Sequence, residues 1–202
     1  WLVLRIIDKR GTNSMRFEGF LGMPLITLAT FPPRQSELFI KAFLDYFLAG
    51  IAFTLSLPLF SLIACAIKLS SKGPVFYKQE RYGLNGRKFV LYKFRTMVTD
   101  AELKQKDLEP MNEADGPVFK LKKDPRIIPV IGELLRKTGL DELPQLVNVL
   151  KGEMSLVGPR PPIPAEVEKY DFWQRRRLSM KPGITCLWQC TPDRNEVLFD
   201  EW

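Results

Sequence analysis

Two adjacent carboxylates, Asp141 and Glu142, stand between Gly139 and Pro144, where the pattern predicts the start of a helix running from Leu143 to Leu150. A helix start gathers unpaired backbone N–H groups and the positive end of the helix dipole, so it holds a carboxylate and a phosphate alike. One reading of Asp141 is therefore a helix cap. The other is a catalytic carboxylate, for which an Asp-Glu pair on its own is weak evidence. Arg126 and Arg136 precede the pair and Arg160 follows it, the last set in Gly158-Pro159-Arg160-Pro161, where prolines stiffen the backbone around the guanidinium. Guanidinium forks match phosphate oxygens, although a single arginine is more often a solvated surface charge. Lys93-Phe94-Arg95 adds two further cations, which also read as the polar face of an edge strand.

The chain has no histidine, and its three cysteines, Cys65, Cys186 and Cys190, are odd in number and lack C-x-x-C spacing. Zinc sites, histidine general bases and Ser-His-Asp triads are thereby excluded. A disulfide framework is disfavoured and a reducing, cytosol-facing location favoured. With 30 Lys+Arg against 23 Asp+Glu the net charge is +7, which suits an anionic partner: phosphates, acidic lipid headgroups or nucleic acid.

The elements that must position these groups follow from periodicity. From Tyr46 through Ile67 no charge occurs, roughly 22 residues and about enough to cross a hydrocarbon core. Pro58 interrupts this run, and basic residues flank both its ends: Arg34 and Lys41 before, Lys68, Lys72, Lys78 and Arg81 after. A helix-break-helix that enters and leaves on one face accounts for both features. A straight crossing and a buried core helix are the alternatives. The apolar run also argues against nucleic acid as the partner.

Val75 to Gln79 and Phe89 to Phe94 flank Asn85-Gly86 and predict a β-hairpin. Thr99 to Asp115 is polar and acidic, an exposed helix or loop. Gly73-Pro74-Val75-Phe76 recurs as Gly116-Pro117-Val118-Phe119, two copies being too few for a repeat fold. Ile128, Ile131 and Leu135 mark a helix that stops at Gly139, and Leu143, Leu146, Val147 and Leu150 mark the next. Beyond lies proline-rich loop around an amphipathic segment, Ala165 to Leu178. At the other end, Trp1 to Ile7 and Met23 to Leu28 read as strands separated by a polar turn, and Phe31 to Arg34 as a linker. The absence of an initiator Met and an uncapped helical pattern over Asn195 to Trp202 suggest a piece of a longer protein.

Several long strings, taken in order and spacing, resemble the bacterial sugar transferase family of monotopic phosphoglycosyl transferases. They are Lys93-Phe94-Arg95-Thr96-Met97, then Arg136 through Leu146, Asn148 through Pro161, and Lys181-Pro182-Gly183-Ile184-Thr185. The resemblance covers about Ile40 to Trp202, and Phe20 to Ile26 is similar to the end of the cytoplasmic domain that precedes the catalytic domain in the larger members. It implies an α+β fold: a small catalytic domain over 73–202 with a β-hairpin, a re-entrant membrane helix over 34–72 broken at Pro58, and the tail of a preceding domain over 1–33. Ser56 is the candidate to hold the bend, because Leu57 stands where the family often has serine. Cys186 and Cys190 replace a usual glycine and a typical valine.

The implied reaction moves a sugar-1-phosphate from a UDP-sugar to polyprenyl phosphate through an aspartyl phosphosugar. In it Asp141 is the nucleophile and Glu142 its partner and Mg²⁺ ligand, while Arg136, Arg160, Lys93, Arg95 and Arg126 bind substrate. The implied setting is the cytoplasmic face of the bacterial inner membrane, among membrane lipid, with a homodimer for the larger members. No residue selects the sugar.

Overall fold

The structure, a computed structural model, describes residues 14–20, 23–29, 35–108, 112, 121, 124–171 and 174–186. The chain divides into two compact units, 1–41 and 42–202. In the first, β1 (Ser14–Phe20) pairs antiparallel with β2 (Met23–Ala29), Phe20 opposite Met23 and Ser14 opposite Ala29. The Met23 to Leu28 stretch is thus a strand, as its composition predicts. Its partner contains Arg16, Glu18 and Gly19, which hid it from a search for apolar runs. Trp1 to Ile7, the linker around Pro32 and Pro33, the second Gly-Pro-Val-Phe string, Cys190 and the segment from Asn195 lie outside the described residues.

Helix α1 runs Gln35–Ser70 and is long and apolar enough to cross a membrane by length and composition. Within the second unit it buries a stripe at helical spacing: Asp45, Ala49, Ile63 and Ile67 are buried, and Phe53, Leu59 and Phe60 pack beside them. Phe43, Leu44, Phe47, Leu48, Ile51, Leu55 and Leu62 are exposed. The sequence predicts two half-helices separated at Pro58, whereas the structure carries one continuous helix with Pro58 inside it. Proline removes a single N–H from the ladder, and the turns on either side keep theirs. Ser56 nevertheless acts at this point, because its hydroxyl donates to the Phe53 carbonyl at 2.9 Å.

Strands β3 (Phe76–Tyr82) and β4 (Lys88–Phe94) form the predicted hairpin, with Tyr77 opposite Lys93 and Arg81 opposite Phe89. Asn85 (φ 56°) and Gly86 (φ 70°) turn the chain with the positive φ angles their types tolerate. Helix α2 (Ala101–Leu108) lies in the polar stretch after β4. Helix α3 (Ile131–Thr138) ends at Gly139 in the left-handed region (φ 73°), a conformation that glycine adopts without strain. A 3-10 turn, Leu140–Glu142, leads to helix α4 (Gln145–Leu150), shorter than predicted by two residues at its start. Strand β5 (Ser155–Val157), helix α5 (Pro164–Glu168), a 3-10 segment (Gln174–Ser179) and strand β6 (Gly183–Thr185) complete the unit, β5 and β6 pairing in parallel. The amphipathic Ala165 to Leu178 segment thus carries two short helical pieces.

Two apolar clusters hold the elements together. Ala49 of α1 meets Phe89 and Leu91 of β4 and Leu146 and Val149 of α4, with Met154 closing the group. Ile63 and Ile67 of α1 meet Phe94 of β4 and Leu135 of α3. At roughly 25 cal/mol per Å² of buried apolar surface, each of the Leu, Ile, Val, Phe and Met side chains contributes about 1.5 to 3 kcal/mol. Both clusters therefore tie α1 to the hairpin and to the helices on either side of Asp141.

Candidate active site

Asp141 and Glu142 lie in the 3-10 turn, and α4 starts at Gln145 after Pro144, with no side-chain cap bond. Asp141 is therefore not the helix cap that one reading of the sequence offered. The turn is fixed against the hairpin by Lys93, whose ammonium lies 2.6 Å from Oε1 of Glu142 in a half-buried ion pair. Asp141, also half-buried, has its carboxyl pushed above the usual aspartate range by desolvation and by the like charge of Glu142. Lys93 and Arg136 pull it back down, so two of the predicted cations act on this carboxylate electrostatically. Arg136 stands exposed in the last turn of α3.

What keeps the turn against β4 is Asn148, which is fully buried. Its side-chain amide accepts from the Tyr92 N–H at 3.2 Å and donates to the Val90 carbonyl at 2.7 Å and to Glu153 Oε2 at 2.7 Å. Because β3 pairs with β4 along its other edge, the Asn148 amide stands where a neighbouring peptide group would, and the α4 backbone is carried in beside the strand.

The Arg160 guanidinium is half-exposed and forks onto the buried carboxylate of Glu166, with Nη1 to Oε2 at 3.0 Å and Nη2 to Oε1 at 3.1 Å. Glu166 is itself fixed, accepting from the Ile163 N–H at 3.1 Å at the start of α5. The loop carrying Arg160 is pinned from below by glycines. A Cβ on Gly158 would overlap the Lys181 carbonyl oxygen, and one on Gly183 the Gly158 nitrogen, so β5 and β6 approach as closely as they do only with glycine at both places.

Of the five predicted substrate-binding cations, two are committed elsewhere. Arg95 is buried and donates to the Ser71 and Lys72 carbonyls at 2.9 and 2.7 Å, closing the chain just after α1. Arg126, also buried, makes a paired contact with Asp124 (Nη2 to Oδ2 2.6 Å, Nε to Oδ1 2.8 Å), which holds Asp124 below the usual range. Both are positioned as structural residues, and the expectation that they grip phosphate receives no support from their partners.

The structure instead brings in Arg81, read from sequence only as part of a basic flank. It lies on β3, donates to the Pro161 carbonyl at 2.9 Å, and is pushed down to about 10 by burial and then by Arg160, while Glu166 opposes the shift. Glu142 also acts on it. A half-buried arginine within electrostatic reach of both Arg160 and Glu142 makes the site more cationic than its motifs indicate. Glu166, Asn148 and Arg81 escaped the sequence reading because each depends on a partner more than five residues away or on a strand face.

Among the described residues, no group of three or more His, Cys, Asp or Glu side chains stands ready to hold a metal. A carboxylate pair beside guanidinium groups suits the other kind of site, in which Mg²⁺ keeps one or two protein ligands and takes the rest from substrate phosphates and water.

Residues 36–202 match the bacterial sugar transferase family, and the chain belongs to it. It is 47% identical over 186 residues to the galactosyl transferase CpsE of Streptococcus agalactiae, covering 92% of this chain and 41% of that one. The exopolysaccharide production protein ExoY of Rhizobium meliloti is 42% identical over 163 residues, 79% of this chain and 71% of that protein. The undecaprenyl-phosphate galactose phosphotransferase of Salmonella typhimurium is 48% identical over 132 residues, covering 63% of this chain and 27% of that protein. The chain thus spans about two fifths of the streptococcal relative and about a quarter of the Salmonella one.

Proposed function

We propose that this chain is the catalytic portion of a phosphoglycosyl transferase that moves a sugar-1-phosphate, in the first instance a hexose phosphate, from a UDP-sugar to polyprenyl phosphate. The observation that carries the reading is Asp141, a half-buried carboxylate held beside the Lys93–Glu142 ion pair and under the charge of Arg136. A relative named for undecaprenyl-phosphate galactose phosphotransfer supports the substrate classes.

In the first step an Asp141 carboxylate oxygen attacks the sugar-bearing phosphorus of the diphosphate. The bond from that phosphorus to the bridging oxygen breaks, and UMP leaves with the electron pair. In the second step a phosphate oxygen of the lipid attacks the same phosphorus and the Asp141 O–P bond breaks, restoring the carboxylate. Neither step requires a proton relay, which suits a site without histidine. The main demand is to bring anions together, and Lys93, Arg136, Arg160 and Arg81 supply the opposing charge. Glu142 would hold Mg²⁺, which when bound neutralises diphosphate charge. Lys93, 2.6 Å from its Oε1, orients Glu142 for that task.

One substrate is water-soluble and the other lipid-embedded, so α1 would lie in the cytoplasmic leaflet of the inner membrane, entering and leaving on the same side, with a homodimer as the assembled form. Labelling introduced cysteines near Lys41 and near Lys72 from the cytoplasm should mark both positions. Periplasmic labelling of either one sinks that topology. The reaction is tested by mixing the protein with a panel of UDP-sugars and no lipid. A stoichiometric burst of UMP and a sugar-phosphate adduct on the Asp141 peptide are expected; UMP formed only when both substrates are present, with no adduct under acid quench, would show direct transfer.

A further inference from the structure

Asp45 is a carboxylate on the otherwise apolar buried stripe of α1, where alanine or leucine would pack without desolvation cost. Burying such a group is unfavourable by several kcal/mol unless hydrogen bonds compensate. Here the Ser155 hydroxyl donates to Oδ2 at 2.8 Å and the Leu156 N–H donates to Oδ1 at 3.2 Å. The second bond falls on a particular edge. Ser155 N–H is taken by the Pro182 carbonyl and β6 pairs with β5 through Ser155 and Val157, so Leu156 N–H faces the opposite side, and Asp45 satisfies it. Directly after β5 come Gly158, whose N–H bonds the Thr185 carbonyl at 3.0 Å and which has no room for a Cβ, and then Arg160. The path from Asp45 to the Arg160 guanidinium is therefore a short, hydrogen-bonded and sterically closed stretch of backbone.

We propose that Asp45 is a positioning residue that locks α1 to the β5 edge and thereby fixes where Arg160 sits relative to the membrane helix. This rests on the proposed transferase reading, in which Arg160 supplies charge to substrate phosphate, and takes that phosphate to be the lipid's. The acceptor phosphate is anchored at the bilayer surface while the UDP-sugar diffuses freely, so a helix loosened from β5 misplaces Arg160 for the lipid and much less for the nucleotide. Asp45 touches neither substrate. Its signature is a split between the two half-reactions.

The experiment uses the full chain in lipid nanodiscs, with Cys186 and Cys190 replaced by serine. Spin labels are placed on the exposed native Cys65 of α1 and on Glu80→Cys, an exposed position of β3. The parent should give one narrow distance distribution, and Asp45→Leu a broadened one. In parallel, UMP release without lipid should stay within about threefold of the parent, while transfer to polyprenyl phosphate falls by about tenfold or more, the scale of a lost charged hydrogen bond. Asp45→Asn, which keeps one acceptor oxygen, should recover part of that loss. If Asp45→Leu does not accumulate, Ser155→Ala removes only the hydroxyl and is read the same way. An unchanged distance distribution, or equal slowing of both half-reactions, overturns the proposal. If the parent itself releases no UMP and forms no lipid product, the transferase reading fails, and the distance measurement still decides whether Asp45 docks the helix.

Discussion

The Lys93 ammonium reaches across from the hairpin to Glu142 at 2.6 Å, and the same cation acts on the neighbouring Asp141 by lowering its proton affinity. One side chain thus bears on both carboxylates, pairing with Glu142 and opposing the upward shift of Asp141. Replacing Lys93 by methionine should leave Asp141 more protonated, so the acid limb of adduct formation should move to higher pH than in wild type. UMP burst rates measured across pH would show this. An unmoved limb would mean that Lys93 does not face Asp141 in solution.

Desolvation raises the Asp141 pKa in the folded protein above its unfolded value of about 3.9. The native state therefore binds the proton more tightly, and stability falls as pH rises from the unfolded value through the folded one. Asp141→Asn removes this loss. The variant should melt at a higher temperature than wild type at neutral pH, and the two should converge below the ordinary aspartate range. Activity should vanish while the fold is kept. Thermal melts over pH check the prediction, and a variant less stable than wild type at neutral pH would contradict it.

Arg160 is held as a fork on Glu166, a geometry that an ammonium cannot copy. Arg160→Lys should lower kcat/KM by the equivalent of about 1.5 to 3 kcal/mol, roughly 13- to 160-fold. Glu166→Gln should cost activity too, by freeing the guanidinium, while leaving Asp141 titration nearly in place. Steady-state kinetics of the two variants decide this, and near-normal turnover in Arg160→Lys would make Arg160 structural.

Arg126→Gln should behave differently, because Arg126 is buried against Asp124. Breaking a buried pair leaves an uncompensated carboxylate, and about 3 kcal/mol of stability should be lost. The activity of the folded fraction should remain. Denaturant melts combined with active-site titration separate these outcomes.

The parts of this molecule legible in its sequence are local ones. The turn at Asn85-Gly86, the stop at Gly139 and the strings around Asp141 each depend on neighbours along the chain, so residue type and spacing revealed them. Arg95 and Arg126 show where that reading stopped: one stands in a motif string and the other near the carboxylate pair along the chain, and neither position reveals its partners, backbone carbonyls in one case and Asp124 in the other. Asp45 stands one residue before the uncharged run that begins at Tyr46, where nothing in its neighbours marks it out. Its meaning depends on Ser155, 110 residues away. At Pro58 the residue type marks a break, while helical structure runs through the position and apolar packing anchors α1 on both sides of it, at Ala49 and at Ile63 and Ile67.

The Asn148 amide bonded to Val90 and Tyr92 also bears on how copies of this protein coexist. A strand with a free edge is a template for a strand from another molecule, and proteins confined to a bilayer meet one another at high local concentration. Here the inner groups of that edge are already taken by a side chain from the same fold, so the hairpin has no ladder at Val90 and Tyr92 to offer a neighbour. Self-association of this protein should therefore proceed through side-chain surfaces rather than by strand addition at β4, and losing Asn148 should expose the chain to sheet-driven aggregation even where enough native protein survives to work.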